Sequence, residues 1–281
     1  NSEVSFNVGL SYDLNDQWAV GVGYAQAARG KEIGDGFTID SYLWDGAPTP
    51  VVDPELDAEQ VTNIEASIEY RGDNLNVKLA AFNSSIDDVI SERPYGASFY
   101  QNIGTVDADG FELDFAYRWH EVEFFLGIAR SDSALNPRSG LYANDVGSID
   151  LNGYKFNGIG NSRGDTWNLG VNYLPFSNLQ LGTNVAYVDD LSIDTLHQDF
   201  DLGFVPNIYR LEKSSYTTVD VFAEWQASER LVFNIAATNL LNEQFRDHSS
   251  VGDYSDVPGY GIVVGPSEAG RDIRLSVSIS F

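Results

Sequence analysis

Residue-by-residue alternation is the strongest constraint on this chain. Trp18, Val20, Val22 and Tyr24 are separated by Ala19, Gly21 and Gly23. Leu75, Val77, Leu79 and Ala81 are interleaved with Asn76, Lys78 and Ala80. Phe111, Leu113, Phe115, Tyr117 and Trp119 alternate with Glu112, Asp114, Ala116 and Arg118. The same period recurs at Trp167–Tyr173, Val219–Trp225, Leu231–Ala237 and Ile273–Phe281. Successive side chains of a β-strand point to opposite faces, so each block sets an apolar row against a small or polar row. Helical spacing of three and four fits none of them. The chain is therefore all-β, with an apolar face suited to lipid or a sandwich core and a second face suited to a wet or plugged lumen.

The links between blocks decide between those alternatives. The pattern predicts about eleven antiparallel strands of ~10 residues, the length a tilted membrane strand needs. They fall near 4–12, 18–27, 58–70, 75–86, 104–118, 121–132, 165–174, 179–189, 214–226, 230–239 and 270–281. Short links (Asp13–Gln17, Arg71–Asn74, Trp119–Glu121, Pro175–Asn178, Gln226–Arg230) alternate with long ones at 28–57, 87–103, 133–164, 190–213 and 240–269. Short turns on one rim and long loops on the other are the layout of a transmembrane β-barrel of the bacterial outer membrane. Tyr12, Trp18, Tyr70, Trp119, Tyr173, Phe176 and Trp225 all sit beside short links, as an interfacial aromatic girdle would. Tyr24, Tyr187, Tyr216 and Phe245 lie near the long ones and suit a second girdle.

Composition removes other classes. The chain has 42 acidic and 16 basic residues, a formal net charge of −26. Such a surface repels nucleic acid, so no nucleic-acid partner is expected. Cysteine is absent, which excludes disulfides, thiolate metal sites and a cysteine nucleophile. No His lies on a strand beside a suitable Ser, so no enzyme, catalytic residue, resident cofactor or metal is expected. Mean hydropathy is −0.22, which on its own would suggest a water-soluble protein. A barrel strand hides its lipid face in every second residue, so that average carries no weight.

Strand parity adds an expectation. An odd number of hairpin-connected strands places its ends on opposite rims, with Asn1 in an extracellular loop and Phe281 in the periplasm. Single-chain bacterial barrels have an even count, and an open sheet edge cannot face lipid. The remaining strands are therefore expected in another part of the same protein or in a companion chain.

The last stretch, Asn239-Leu240-Leu241-Asn242-Glu243-Gln244-Phe245, then Pro258-Gly259-Tyr260, then Gly270-Arg271-Asp272 before a strand ending in Phe281, resembles the C-terminal signature of TonB-dependent outer-membrane receptors. Asp53-Pro54-Glu55-Leu56 followed by Glu59 and Asn63-Ile64-Glu65 is similar to a segment that follows a long loop in that family. Phe82 with Asp87-Asp88-Val89-Ile90, and Asn102-Ile103-Gly104 with Gly110-Phe111-Glu112, match two further segments. The resemblance implies that residues 1–281 are the C-terminal part of a barrel of about 22 strands around an N-terminal plug, both the plug and the TonB contact lying outside this chain. It also implies energised import of a scarce nutrient: an iron chelate, siderophore before haem, with cobalamin or an oligosaccharide as alternative substrates. A passive porin-type channel is the rival; it predicts an even count and closure by this chain alone. Docking of a phage or toxin on the same loops would be an added role.

Ligand contacts are then expected in the long loops and upper lumen. Arg29, Lys31, Arg93, Arg210, Lys213 and Arg246 are basic residues near loop bases and would suit an anionic chelate or a haem propionate. Pairing with neighbouring carboxylates is the plainer account of each. Tyr42, Trp44, Tyr95, Phe99, Tyr100, Tyr254 and Tyr260 suit packing on a planar ligand, or packing within the loops. His120 lies in a short turn and reads as structural; His197 and His248 lie in long loops, where a haem ligand is conceivable. Residues 28–57 contain no histidine, although haem-transporting members carry one before the Pro-x-Leu segment. Asp189-Asp190 and Asp199–Asp201 have no EF-hand spacing; solvated loops, or lipopolysaccharide bridged by divalent cations, account for them better than a Ca²⁺ site.

Overall fold

A computed structural model describes residues 4–29, 38–39, 50–51, 56–92, 100–139, 149–150, 164–199, 205–248 and 267–281. The strands are β1 (Phe6–Asp13), β2 (Trp18–Arg29), β3 (Thr38–Ile39), β4 (Pro50–Val51), β5 (Glu59–Arg71), β6 (Leu75–Asp87), β7 (Ile90–Glu92), β8 (Tyr100–Asn102) and β9 (Gly104–Trp119). They continue as β10 (Val122–Pro137), β11 (Ile149–Asp150), β12 (Thr166–Phe176), β13 (Leu179–Val188), β14 (Leu191–Asp199), β15 (Val205–Lys213), β16 (Tyr216–Ser228), β17 (Leu231–Thr238) and β18 (Asp272–Ile279). Eleven of them form one antiparallel meander in the order β1-β2-β5-β6-β9-β10-β12-β13-β16-β17-β18, with β11 on the outer reach of β10. These are the eleven strands that alternation marks out, within a few residues at each end.

Register turns eleven separate alternations into two continuous faces. Val22 opposes Leu10 and Ala66, Leu79 opposes Ile68 and Leu113, Ile128 opposes Leu113 and Trp167, and Ile235 opposes Ala223 and Leu275. A one-residue slip would send every apolar side chain to the other face, so the pattern itself specifies the pairing. The apolar face stays open to its surroundings: Leu10, Val22, Leu169 and Leu275 are 68%, 57%, 48% and 72% exposed. An apolar sheet face left this open is a lipid-facing belt rather than a sandwich core. Trp18 packs on Tyr70 with ring centroids 5.0 Å apart, and Trp225 on Phe233 at 5.5 Å, at the turn rim of that belt. His120 has φ 52°, the positive value a two-residue hairpin turn needs, and so serves the Trp119–Val122 turn as expected.

The opposite face carries Glu65, Glu69, Lys78, Glu112, Asp114, Asn168, Asn184, Asp220 and Arg274. Its aromatic exceptions lie over glycines. A Cβ on Gly110 would meet the Phe82 ring at 2.8 Å, and one on Gly182 would meet the Phe222 ring at 2.1 Å. Among the described residues β1 and β18 each pair along one edge only, and the sheet does not close.

The structure departs from the expected loops in one respect. Parts of them are themselves β: β14 pairs β15 over Leu191↔Lys213 to Asp199↔Val205, β7 pairs β8, and β3 pairs β4. The alternation there is broken by polar residues (Asp194, His197, Asp199), so the sequence pattern does not mark these strands. β9 and β10 pair over 16 residues, about 50 Å at the usual rise, so this ribbon stands beyond the belt on the loop side.

Candidate functional site

Two knots of hydrogen bonds hold the loop rim, and both are built from the motifs noted in the sequence. In the first, Asn102 is 4% exposed. Its Nδ2 donates to the carbonyls of Asp57 and Asp88 at 3.0 and 2.6 Å, and its Oδ1 accepts from the Asp57 N–H at 2.8 Å. The Ile103 N–H donates to the Val89 carbonyl at 2.8 Å, and the Val89 N–H to the Gly104 carbonyl at 2.9 Å. Leu56, Ile103 and Leu135 are 1%, 0% and 0% exposed around it. Burying each contributes about 1.5–3 kcal/mol. Glu59 completes the knot: its Oε1 accepts from the Ile90 N–H at 2.7 Å and its Oε2 lies 2.9 Å from Arg29 Nε. Three segments far apart in the chain thus meet through one amide side chain.

The second knot gathers the C-terminal motif. Asn239 is 5% exposed with φ 48°, in the left-handed region that Asn tolerates. Its Oδ1 accepts from the Glu243 N–H at 2.8 Å, and its Nδ2 donates to the Glu243 and Ala269 carbonyls at 2.9 and 3.2 Å. Its own N–H donates to Asp220 Oδ1 at 2.8 Å. Asn242 Oδ1 accepts from the Arg271 N–H at 3.0 Å, which ties the start of β18 to this turn. The Tyr216 and Phe245 rings then stack at 4.2 Å, with His248 edge-on to Tyr216 at 5.5 Å.

The Tyr216 and Phe245 rings wall a recess of about 490 Å³ on the polar face, at the loop rim. Its floor is small, from Ala129, Gly164 and Ala186, and its polar groups are Ser131, Thr166, Asn168, Thr218 and Asp247. The register explains the grouping. Thr166 and Tyr216 both face Val188, and Asn168 and Thr218 both face Ala186, so β12 and β16 present hydroxyls and an amide on either side of β13. The Tyr216 hydroxyl donates to Asp247 Oδ2 at 3.3 Å across the lip.

The structure separates the residues nominated from sequence. Arg29 joins the first knot through Glu59. Lys213 is buried in the second, where its Nζ donates to the His248 carbonyl at 2.5 Å. Burial pushes the Lys213 ammonium down to about 8, against an opposing pull from the Asp247 carboxylate. His248 is 1% exposed, with Nε2 3.0 Å from the Ser214 carbonyl. Arg246 is exposed beside them and already engaged. Nearby, the Tyr187 hydroxyl and the Asp190 N–H hold the Asp189 carboxyl below the usual range. Lys31, Arg93, Tyr95, Tyr254, Tyr42, Trp44, Phe99 and Tyr260 lie outside the described residues, as do the side chains of Tyr100, His197 and Arg210. Among the described residues no group of three His, Cys, Asp or Glu side chains has metal-holding geometry. The recess lining was missed in the sequence because Thr, Ser and Asn in an alternating strand look like any polar row; only register puts them side by side.

Residues 1–240 match the family model described as TonB dependent receptor-like, beta-barrel. The Pesticin receptor of Yersinia enterocolitica is 23% identical over all of this chain, which spans 36% of that relative; the Yersinia pestis Pesticin receptor is 22% identical over the same share. The FrpB iron transporter of Neisseria meningitidis superposes with a TM-score of 0.73 at 19% identity, over 98% of this chain and 39% of its own. The ferric yersiniabactin uptake receptor FyuA of Yersinia pestis gives a TM-score of 0.63 at 18% identity, over 98% and 37%. Barrels of this kind are outer-membrane proteins, and these neighbours are transporters and receptors.

Proposed function

Because the chain belongs to the TonB-dependent receptor β-barrel family, we propose that it is part of an active transporter that imports an iron chelate, siderophore before haem, across the outer membrane. One observation carries the reading. A sheet with a lipid-facing apolar side presents, on its other side, a polar recess at the rim where the long loops emerge. Substrate captured among the loops would meet that wall on entry. Neighbours with the same fold include an iron transporter and a ferric yersiniabactin uptake receptor, which supports iron ahead of other cargo.

In this reading the polar face lines the lumen and meets a plug belonging to the rest of the protein, through which TonB acts. Glu65, Glu112 and Asp114 are exposed on that face and would meet polar or basic groups of the plug. The loop rim is extracellular and the short turns periplasmic. Lys31, Arg93, Tyr95, Tyr100, Arg246 and Tyr254 remain the loop residues proposed to touch ligand; His248, packed beneath Tyr216, supports the rim instead. The relatives are receptors for pesticin by name, which suggests a second use of the outer loops as a docking surface.

The test is deletion of the full-length gene, followed by growth on defined ferric chelates under iron starvation. Loss of growth on at least one chelate, restored by the gene only when TonB is present, is the expected result. Unchanged growth on every iron source would overturn the proposal.

A further inference from the structure

The electrostatics of the recess distinguish between classes of ferric chelate. Its polar lining is uncharged apart from Asp247: Thr166 and Thr218 offer hydroxyls, and Asn168 an amide. Carboxylates flank it on both sides. Glu112 is the cross-strand partner of Ala129 in the floor, with Asp114 two residues further along β9. Asp220 follows Thr218 on the same face of β16. Among the described residues, none that lines the recess is basic. Of the bases that sequence placed near it, Arg29 is turned to Glu59 and Lys213 to the His248 carbonyl, and Arg246, exposed next to Asp247, is already engaged and is not among the lining residues. Arg130 faces the opposite side of β10, beside Asp132 and Asp165.

We infer that this recess selects an uncharged or cationic ferric chelate of the hydroxamate type over a polyanionic catecholate; the inference rests on the iron-transport reading. Three hydroxamates around Fe³⁺ leave no net charge, whereas three catecholates leave three negative charges. Hydroxamate oxygens accept hydrogen bonds from Thr and Asn donors without needing a cation. A trianion would meet like charge at Asp247, Glu112 and Asp220 with no counter-charge in the lining. Repulsion of that kind acts over about 10 Å at ordinary salt. The stacked Tyr216 and Phe245 rings supply a flat apolar wall for the chelate's methylene arms.

The experiment uses the full-length receptor, plug included, purified in detergent, with binding read by fluorescence quenching. The probes are a neutral ferric trihydroxamate and a ferric tris-catecholate. The hydroxamate should bind at least tenfold more tightly. The double variant Thr166→Val, Thr218→Val keeps shape and removes both hydroxyls; it should weaken hydroxamate binding about tenfold while the barrel keeps its heat-modifiable gel mobility. Glu112→Gln should narrow the gap by tightening the catecholate. Equal or tighter catecholate binding by the unmodified receptor overturns the inference, as does a double variant that is folded and binds normally. If neither probe binds but the deletion strain still fails on a ferric chelate, the chelate class is wrong and the iron reading stands. If neither binds and the deletion strain grows on every iron source, both fall.

Discussion

Gly104 is where a single methyl group should do most damage. Its φ is +147°, a conformation L side chains rarely adopt. A Cβ there would lie 2.1 Å from the Asn136 carbonyl oxygen, 2.9 Å from Pro137 Cα and 3.0 Å from Arg138 N. All three are backbone, so no rotamer can yield. The outer end of β10 must move away from β9, and this breaks the bonds that converge on the residue. These are Val89 N–H to the Gly104 carbonyl at 2.9 Å, and Arg138 N–H to the Ile103 carbonyl at 2.7 Å. Backbone strain at such a position costs about 1–3 kcal/mol, and two lost hydrogen bonds about 1 kcal/mol each. Gly104→Ala should therefore destabilise the rim locally by roughly 3–5 kcal/mol, an increase of about two to four orders of magnitude in its open population. Amide hydrogen exchange on the receptor in detergent micelles reads this directly. Val89, Ile103 and Arg138 should exchange faster by that factor, while the β12–β13 amides stay protected. Gly23→Ala is the control, since a Cβ there has nothing within 4 Å. Rim amides as slow in Gly104→Ala as in the unmodified protein, or a Gly23→Ala variant equally loosened, would refute the reasoning.

Three further outcomes follow from the same geometry. Gly182→Ala puts a Cβ 2.1 Å from the Phe222 ring; since that ring is 39% exposed and can swing away, the cost should be about 1 kcal/mol, and Phe222→Leu should relieve it in a double-mutant cycle scored by urea unfolding in micelles. Leu126→Arg puts a charge in the middle of the apolar belt and should cost about 2–4 kcal/mol, whereas Asn168→Arg on the other face should leave folding into lipid vesicles nearly unchanged; equal effects would mean the faces are misassigned. Lys213, held down to about 8, should react with an amine-selective reagent with a midpoint near that pH. The unfolded chain binds the extra proton between about 8 and the ordinary 10.5, so stability should rise with pH through that window; a midpoint above 10 would show that the group is not desolvated.

Sequence alone determined the strand count, the two faces and the rims. A period of two is readable without a fold because each strand meets lipid on one side and lumen on the other, and the belt must be apolar whatever the neighbours are. The link lengths carried the rim assignment for the same local reason. The motifs around Leu56, Val89, Asn102 and Asn239 were also visible, but as isolated resemblances. Only the tertiary structure showed that Asn102 stitches three of those segments together and that Asn239 ties the 240–243 turn to Ala269 before the last strand. Hydrogen bonds between residues 14 to 45 apart have no periodic signature. The same limit hid the recess. Thr166, Asn168 and Thr218 are ordinary strand residues until register sets β12 and β16 on either side of β13 and leaves only Ala186 and Val188 between them. It also changed the meaning of the charges. In the sequence Arg29, Lys213 and His248 lie near loop bases, where ligand would arrive; in the fold they face Glu59, a backbone carbonyl and a tyrosine ring, because a polar or charged group that packs against neighbouring segments is stabilised by the partner they present.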